Sequence, residues 1–191
     1  MEKGVSNLFG AFFVLKPKEI KASVVISPIL YPKYFGSAEI HKSVLSYLVA
    51  DFPGFTFVKT PMTQSAVFDL VLLLKKTKCR EVVFIGALGG LLKGLKIGDV
   101  VTTNSAKPIQ SVSSIHEETR KNLLAWKRRG VVGIDFETKA FFAAAKKAKL
   151  YARARYVVTD LPLNKPFYCE KSPEEKARIQ IVLKQLCELN G

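Results

Sequence analysis

Four apolar residues in succession, Val82–Ile85, constrain the fold of this chain more than any other segment. A strand with one wet face alternates apolar and polar side chains, whereas a strand covered on both faces need not. Glu81–Ile85 therefore reads as a strand in the middle of a sheet with helices above and below. The surrounding sequence agrees. Ser65–Lys76 is apolar nearly all round, the pattern of a helix packed deep on a sheet. Ser23–Ser27 is a β-branched run stopped by Pro28, and Phe55–Lys59, Asp99–Thr103 and Ala154–Thr159 read as further strands. Ala38–Ala50 carries apolar residues at helical spacing and is expected to form a helix stopped by Asp51-Phe52-Pro53-Gly54. Ser114–Arg129 opens with a capping box, Ser114 and Glu117, and reads as one helix. Asp135–Lys149 is a long alanine-rich helix. Pro173–Asn190 has Ser172 as N-cap, proline at its first position and Gly191 at its end. Strands alternating with helices predict an α/β fold: a single domain over residues 1–191, three layers α/β/α around a mixed, mostly parallel sheet.

Composition bounds the function. The 191 residues are 48% hydrophobic and 24% charged, which suits a packed core rather than a disordered chain. The best apolar run, Ala66–Leu74, is interrupted by Asp69, so no membrane span is expected. Lys3 followed by Val5–Leu15 imitates a signal peptide, but no small-x-small site follows and Lys16-Pro17-Lys18 comes directly after. The stretch is read as a buried leading segment. Cys79, Cys169 and Cys187 are odd in number and widely spaced, with no CxxC, so neither a disulfide framework nor a zinc site is suggested, and a reducing cytoplasm is the expected compartment. His41 and His116 lie on expected helices without metal-ligand companions. The net charge of +14 raises nucleic acid as a partner. The positives are spread along the chain, densest at Trp126-Lys127-Arg128-Arg129 and from Lys146 through Arg155. No aromatic-basic alternation, zinc finger or helix-turn-helix signature accompanies them. A solvated basic surface is the expected reading, and nucleic acid is not the expected partner.

Ligands on such sheets bind outside the carboxyl ends of the strands. Three segments fall there. Gly86-Ala87-Leu88-Gly89-Gly90 follows Ile85 as an expected loop; its glycines either let backbone approach a ligand or make a tight structural turn. The spacing matches neither the dinucleotide fingerprint nor a P-loop. Thr159-Asp160 closes a strand. A carboxyl desolvated there has a raised pKa and can deliver a proton to a leaving group, or it serves as a turn or cap residue before Pro162. Asp135-Phe136-Glu137 places two carboxylates around an aromatic at a helix start. Acids are commonplace in a first turn. Alternatively, Glu137 accepts hydrogen bonds from two vicinal sugar hydroxyls while Phe136 offers a face to a flat base.

A resemblance joins these segments. VVFIGALGGLLKGLKIGDVV (82–101) resembles the nucleoside phosphorylase/nucleosidase family, in which a buried strand runs into Gly-x-x-Gly-Gly-Leu and then Leu-Lys-x-Gly-Asp-Val-Val. GIDFETKAFFAAAKKAKLYARARYVVTD (133–160) is similar to that family's Val-Glu-Met-Glu helix and Ser/Thr-Asp strand end, and TPMTQSA (60–66) to the segment before its central helix. The likeness covers roughly residues 55–190 in matching order and leaves 1–54 divergent. It implies that Glu137 grips the ribose, with Asp135 beside it, that Phe136 packs on base or ribose, and that Asp160, next to Thr159, protonates the base. Gly86 and Ala87 fall in the family's phosphate-contacting stretch. It also implies a nucleoside as ligand, no cofactor and a homo-oligomer. The departures concern phosphate. Phe84 stands where phosphorylases carry Arg, Ala87 where they carry Ser or Thr, and Pro28-Ile29-Leu30-Tyr31-Pro32-Lys33 where a glycine-aspartate-proline loop belongs. Cleavage of a purine-nucleoside-like substrate by water is therefore expected ahead of two alternatives. One is a phosphorylase with contacts rebuilt from Lys33, Lys93 or a neighbouring subunit; the other is a non-catalytic binding descendant.

Overall fold

The computed structural model describes residues 3–188. Its nine strands are β1 (Ser23–Ser27), β2 (Ile40–Lys42), β3 (Leu48–Asp51), β4 (Thr56–Lys59), β5 (Glu81–Gly90), β6 (Val100–Thr103), β7 (Ile109–Ser111), β8 (Gly133–Asp135) and β9 (Tyr151–Asp160). The α-helices are α1 (Lys3–Phe13), α2 (Gln64–Leu73), α3 (Arg120–Arg128), α4 (Thr138–Ala148) and α5 (Pro173–Glu188). All strands belong to one sheet. Its centre is parallel: β4 pairs β1, β1 pairs β5, and β5 pairs β9 over nearly its whole length. Antiparallel strands lie outside this centre, with the β2–β3 hairpin beyond β4 and β6 beyond β9. This is the expected mixed, mostly parallel sheet between helix layers.

The uninterrupted apolar sequence of β5 has the expected cause. Val82, Phe84 and Leu88 join a core with α1, α2 and α4 on one face, while Val83 and Ile85 face Leu183, Leu186 and the rest of α5 on the other. Burying both faces is the main driving force for placing this strand centrally. The leading segment is buried on one face, with Phe9, Phe12 and Phe13 in the first core, while Leu8 and Val14 are exposed.

Four expectations are corrected. Ala38–Ala50 is not a helix but the β2–β3 hairpin, turned at 43–46, where Ser46 takes a left-handed φ of 66°. Its spacing fits either period, and pairing Leu48–Asp51 against β4 buries Val49 and Ala50, which an isolated helix could not. The glycines after Ile85 do not form a loop; β5 continues through them to Gly90, with an irregularity at Leu88/Gly89. Ser114–Arg129 breaks after a 3-10 turn (Ile115–Glu117), because a second cap, Thr119, accepts from the Asn122 N–H and restarts the chain as α3. Asp135 closes β8 rather than opening a helix, and α4 begins at Thr138. The expected end of the last helix at Asn190 and Gly191 lies outside the described residues.

Candidate active site

At the carboxyl ends of β5 and β9 the sheet opens into a cavity of about 360 Å³. This is within the range of small-molecule sites. Ala87, Leu88 and Gly89 form its floor from β5, Thr159 and Asp160 its side from β9, and Ile134–Glu137 the opposite side from the β8–α4 turn. Apolar residues close the rest: Pro28 and Ile29 after β1, Met62 before α2, Ile115, and Phe167 from the segment after β9. Gly86 does not line the cavity. A Cβ there would stand 2.6 Å from the Phe84 ring, so this glycine makes room for the core behind the floor.

Glycine is also required where β8 meets β5. A Cβ on Gly133 would lie 2.5 Å from Leu88 and 2.8 Å from the Gly89 carbonyl oxygen, and the carbonyl cannot step aside without breaking the pairing of Gly89 with Ile134. Gly133→Ala is expected to cost about 1–3 kcal/mol, as overpacking does. It should spread Leu88–Gly89 from Ile134–Asp135, lowering both the melting temperature and the affinity for any ligand that thermally stabilises the wild type.

The carboxyls of Asp135-Phe136-Glu137 have separate tasks. Asp135 accepts from Ser111 Oγ at 2.7 Å, from the Thr138 N–H at 2.9 Å and from the Thr138 hydroxyl, which also meets the Tyr156 hydroxyl. Ser111 Oγ in turn accepts from the Lys139 N–H at 2.9 Å. Asp135 thus caps α4 and ties it to β7; burial raises its pKa and these hydrogen bonds lower it in part. Glu137, at the N-cap position, makes no capping bond, and its Oε1 is buried without a partner. Burial first, then the charge of Asp135, pushes its carboxyl up to about 8. A buried acceptor without a partner costs about 1–3 kcal/mol. Among the described residues no donor reaches that oxygen, and a ligand donor in the cavity would.

Asp160 is 7% exposed and its carboxyl is pushed up to about 6 by burial, against the lowering hydrogen bond from the Thr159 hydroxyl and the charge of Lys171. The residue that sequence reasoning missed is Glu118. The break between the 3-10 turn and α3 turns it into the cavity, where burial and then the charge of Asp160 raise it to about 7. Two successive cap residues, Ser114 and Thr119, were the available signal for that break. The cavity therefore gathers Glu118, Asp135, Glu137 and Asp160 among apolar walls, and no Lys, Arg or His lines it among the described residues.

No protein-family model matches the sequence, and no curated protein matches it at the sequence level. Solved structures do match in three dimensions. An AMP nucleosidase from Bacteroides thetaiotaomicron is similar with a TM-score of 0.73 at 14% identity, over 98% of this chain and 97% of that one. A uridine phosphorylase from Vibrio fischeri, in complex with 6-hydroxy-1-naphthoic acid, gives 0.69 at 13% identity over 90% of each chain. The P. knowlesi homologue of P. falciparum PNP gives 0.68 at 14% identity over 92% and 91%. The chain has the nucleoside phosphorylase/nucleosidase fold. The 98% coverage extends this likeness over most of residues 1–54, which the sequence motifs did not reach.

Within the phosphorylase fold, the positions of the sequence departures have physical meaning. Phe84 is fully buried, packed 5.3 Å from the Phe141 ring and 6.0 Å from that of Tyr156, so its side chain belongs to the core. Ala87 lines the cavity but offers no side-chain donor. Pro28 and Ile29 present apolar surface after β1. Lys33 is exposed over the Tyr34 ring, Lys93 is exposed, and neither lines the cavity. His41 lies on β2 and His116 in the 3-10 turn; neither lines the cavity.

Proposed function

We propose that this chain cleaves the N-glycosidic bond of an unphosphorylated purine-type nucleoside, with water rather than phosphate as the nucleophile. One observation carries the reading: Glu137, with a buried oxygen that has no partner among the described residues, lines the same nucleoside-sized, largely apolar cavity as the carboxyls of Glu118 and Asp160, which burial raises. Sugar hydroxyls donate to Glu137, and Phe136 packs on the ligand. As the bond from C1′ to the base nitrogen breaks, its electron pair moves to the base and positive charge develops on the sugar. A carboxylic acid at Asp160 gives its proton to the base, and Glu137, drawn into its carboxylate form as the sugar hydroxyls donate to it, opposes the sugar's charge. Water adds its oxygen to C1′ and releases a proton. Burial raises both Asp160 and Glu118, and the charge of Asp160 raises Glu118 further, which keeps an acid available there near neutrality.

The same carboxyls weigh against phosphate, either as co-substrate or on the sugar, because a dianion among four carboxyls meets repulsion, and the one cation whose charge reaches Asp160, Lys171, does not line the cavity. AMP nucleosidase and the phosphorylases share the fold, and their ligands do not transfer with it. The test is release of free base from purine nucleosides, methylthioadenosine, futalosine-like compounds and AMP, with and without phosphate. Release from the nucleosides at rates independent of phosphate, and none from AMP, is expected. Release only with phosphate would replace hydrolysis by phosphorolysis. No release, with ligand-induced thermal stabilisation, would make this a binding protein.

A further inference from the structure

The end of the sheet opposite the cavity collects cations that are scattered in sequence. Helix α2 runs back to the start of β5, and α4 to the start of β9, so both helices end beside the first residues of the parallel strands. The two helices pack against each other. The first connection brings Lys75, Lys76, Lys78 and Arg80 to this end; the second brings Lys146, Lys147 and Lys149, all exposed. None of these seven forms an ion pair among the described residues. Of the neighbouring acids, Glu81 is paired with Arg153 at 2.9 Å and Asp51 with Lys21 at 3.2 Å, while Asp69 lines a cavity with Lys75 and Lys76 but is no ion-pair partner of theirs among the described residues. Helix dipoles favour cations in a last turn. That accounts for Lys146 and Lys147, but Lys78, Arg80 and Lys149 lie beyond the helices. Tyr151, whose N–H donates to the Arg80 carbonyl, is 61% exposed at the same end. Beside it the Arg153 Nε is buried without a partner.

We propose that this basic end binds single-stranded nucleic acid, with the lysines and Arg80 along the phosphates and Tyr151 as a platform for a base. Cations that follow a backbone, with an aromatic ring among them, are the recurring means of such binding. A membrane surface needs a set of apolar side chains to insert beside the cations; from Lys146 through Arg155 the one exposed large apolar residue is Tyr151, and Leu8 is the one exposed large apolar residue that lines the cavity with Lys75 and Lys76, so the apolar side chains are isolated. The proposal revises the expectation drawn from the sequence, where the same residues lay in separate clusters.

Fluorescence anisotropy of the full chain with a labelled oligonucleotide of about 20 nucleotides tests it. If roughly four phosphates are neutralised, affinity falls about 50-fold between about 50 and 200 mM salt. Lys75→Gln/Lys76→Gln/Lys78→Gln should make the log–log salt slope shallower by about 2, and Tyr151→Ser should weaken binding about tenfold. Lys121→Gln/Lys127→Gln/Arg128→Gln on α3 removes the same charge elsewhere and should change affinity less than about threefold. Circular dichroism and melting temperature verify folding; Lys146→Gln/Lys147→Gln serves as a second variant should the first not fold. Absence of binding, equal losses in the α3 variant, or binding to phosphatidylserine vesicles but not to the oligonucleotide would overturn the proposal.

Discussion

Asp160→Asn should lower base release by roughly 10²–10⁴-fold, the contribution of a positioned acid, while the protein still binds nucleoside. The amide keeps the shape of the side chain and its acceptor for the Thr159 hydroxyl, so the cavity wall survives and the transferable proton does not. Single-turnover release and a thermal-shift titration measure the two effects separately; equal rates in variant and wild type would remove Asp160 from the mechanism. The pH profile follows from the same pair. With Asp160 pushed up to about 6 and Glu118 to about 7, the two carboxyls hold their protons below this window and lose them as pH rises through it. Release by the wild type should therefore decline from about pH 6 upward and level off beyond 7 to 8. In Asp160→Asn the charge that helps raise Glu118 is gone, so the residual activity should decline from a lower pH.

How much of this was legible in the sequence depends on the range over which each residue is determined. Val82–Ile85 declares two covered faces by itself, and α5 carries its own cap and stop, so both could be read locally. Phe136, Glu137 and Asp160 could be placed because their strand and helix ends were legible. The hairpin at 40–51 could not, since its register is decided by β4, a partner residues away. The stretch Gly86–Gly90 looked like a loop because glycine is usual in loops. Here its missing side chains admit Phe84, Ile134 and Pro162 against a continuing strand. Glu118 was hidden behind a capping box that caps three residues instead of fifteen. Asp135 and Glu137 looked equivalent, and only the Ser111 and Thr138 hydroxyls, distant or unremarkable in sequence, separate the anchored carboxyl from the free oxygen. The basic end is likewise a product of topology: no window of sequence contains both Lys75 and Lys149.

The free oxygen of Glu137 leads to the second large effect, which couples stability to binding. Its carboxyl stands at about 8 against a usual 4.5, through burial first and the Asp135 charge second. The folded protein holds a proton there that the unfolded chain releases near 4.5. Stability from this group is therefore complete below about pH 4.5, declines as pH rises through 8, and is flat above. A shift of this size corresponds to a loss on the order of 5 kcal/mol. Glu137→Gln cannot ionise. Its melting temperature should lie near that of the wild type at pH 5 and above it at pH 9, by about 10–20 °C if 1 kcal/mol moves a domain of this size about 2–4 °C. Equal differences at both pH values would mean that the carboxyl does not titrate as its burial requires. Nucleoside should reverse the ranking. Sugar hydroxyls donate best to the ionised Oε1, so wild-type affinity should tighten as pH rises toward 8, up to roughly tenfold per unit. The glutamine variant should bind weakly and without that dependence, and a 2′,3′-dideoxynucleoside should abolish the dependence in the wild type. If instead the dideoxy compound retained it, the hydroxyls would not be what Glu137 awaits, and the sugar would have to lie elsewhere in the cavity.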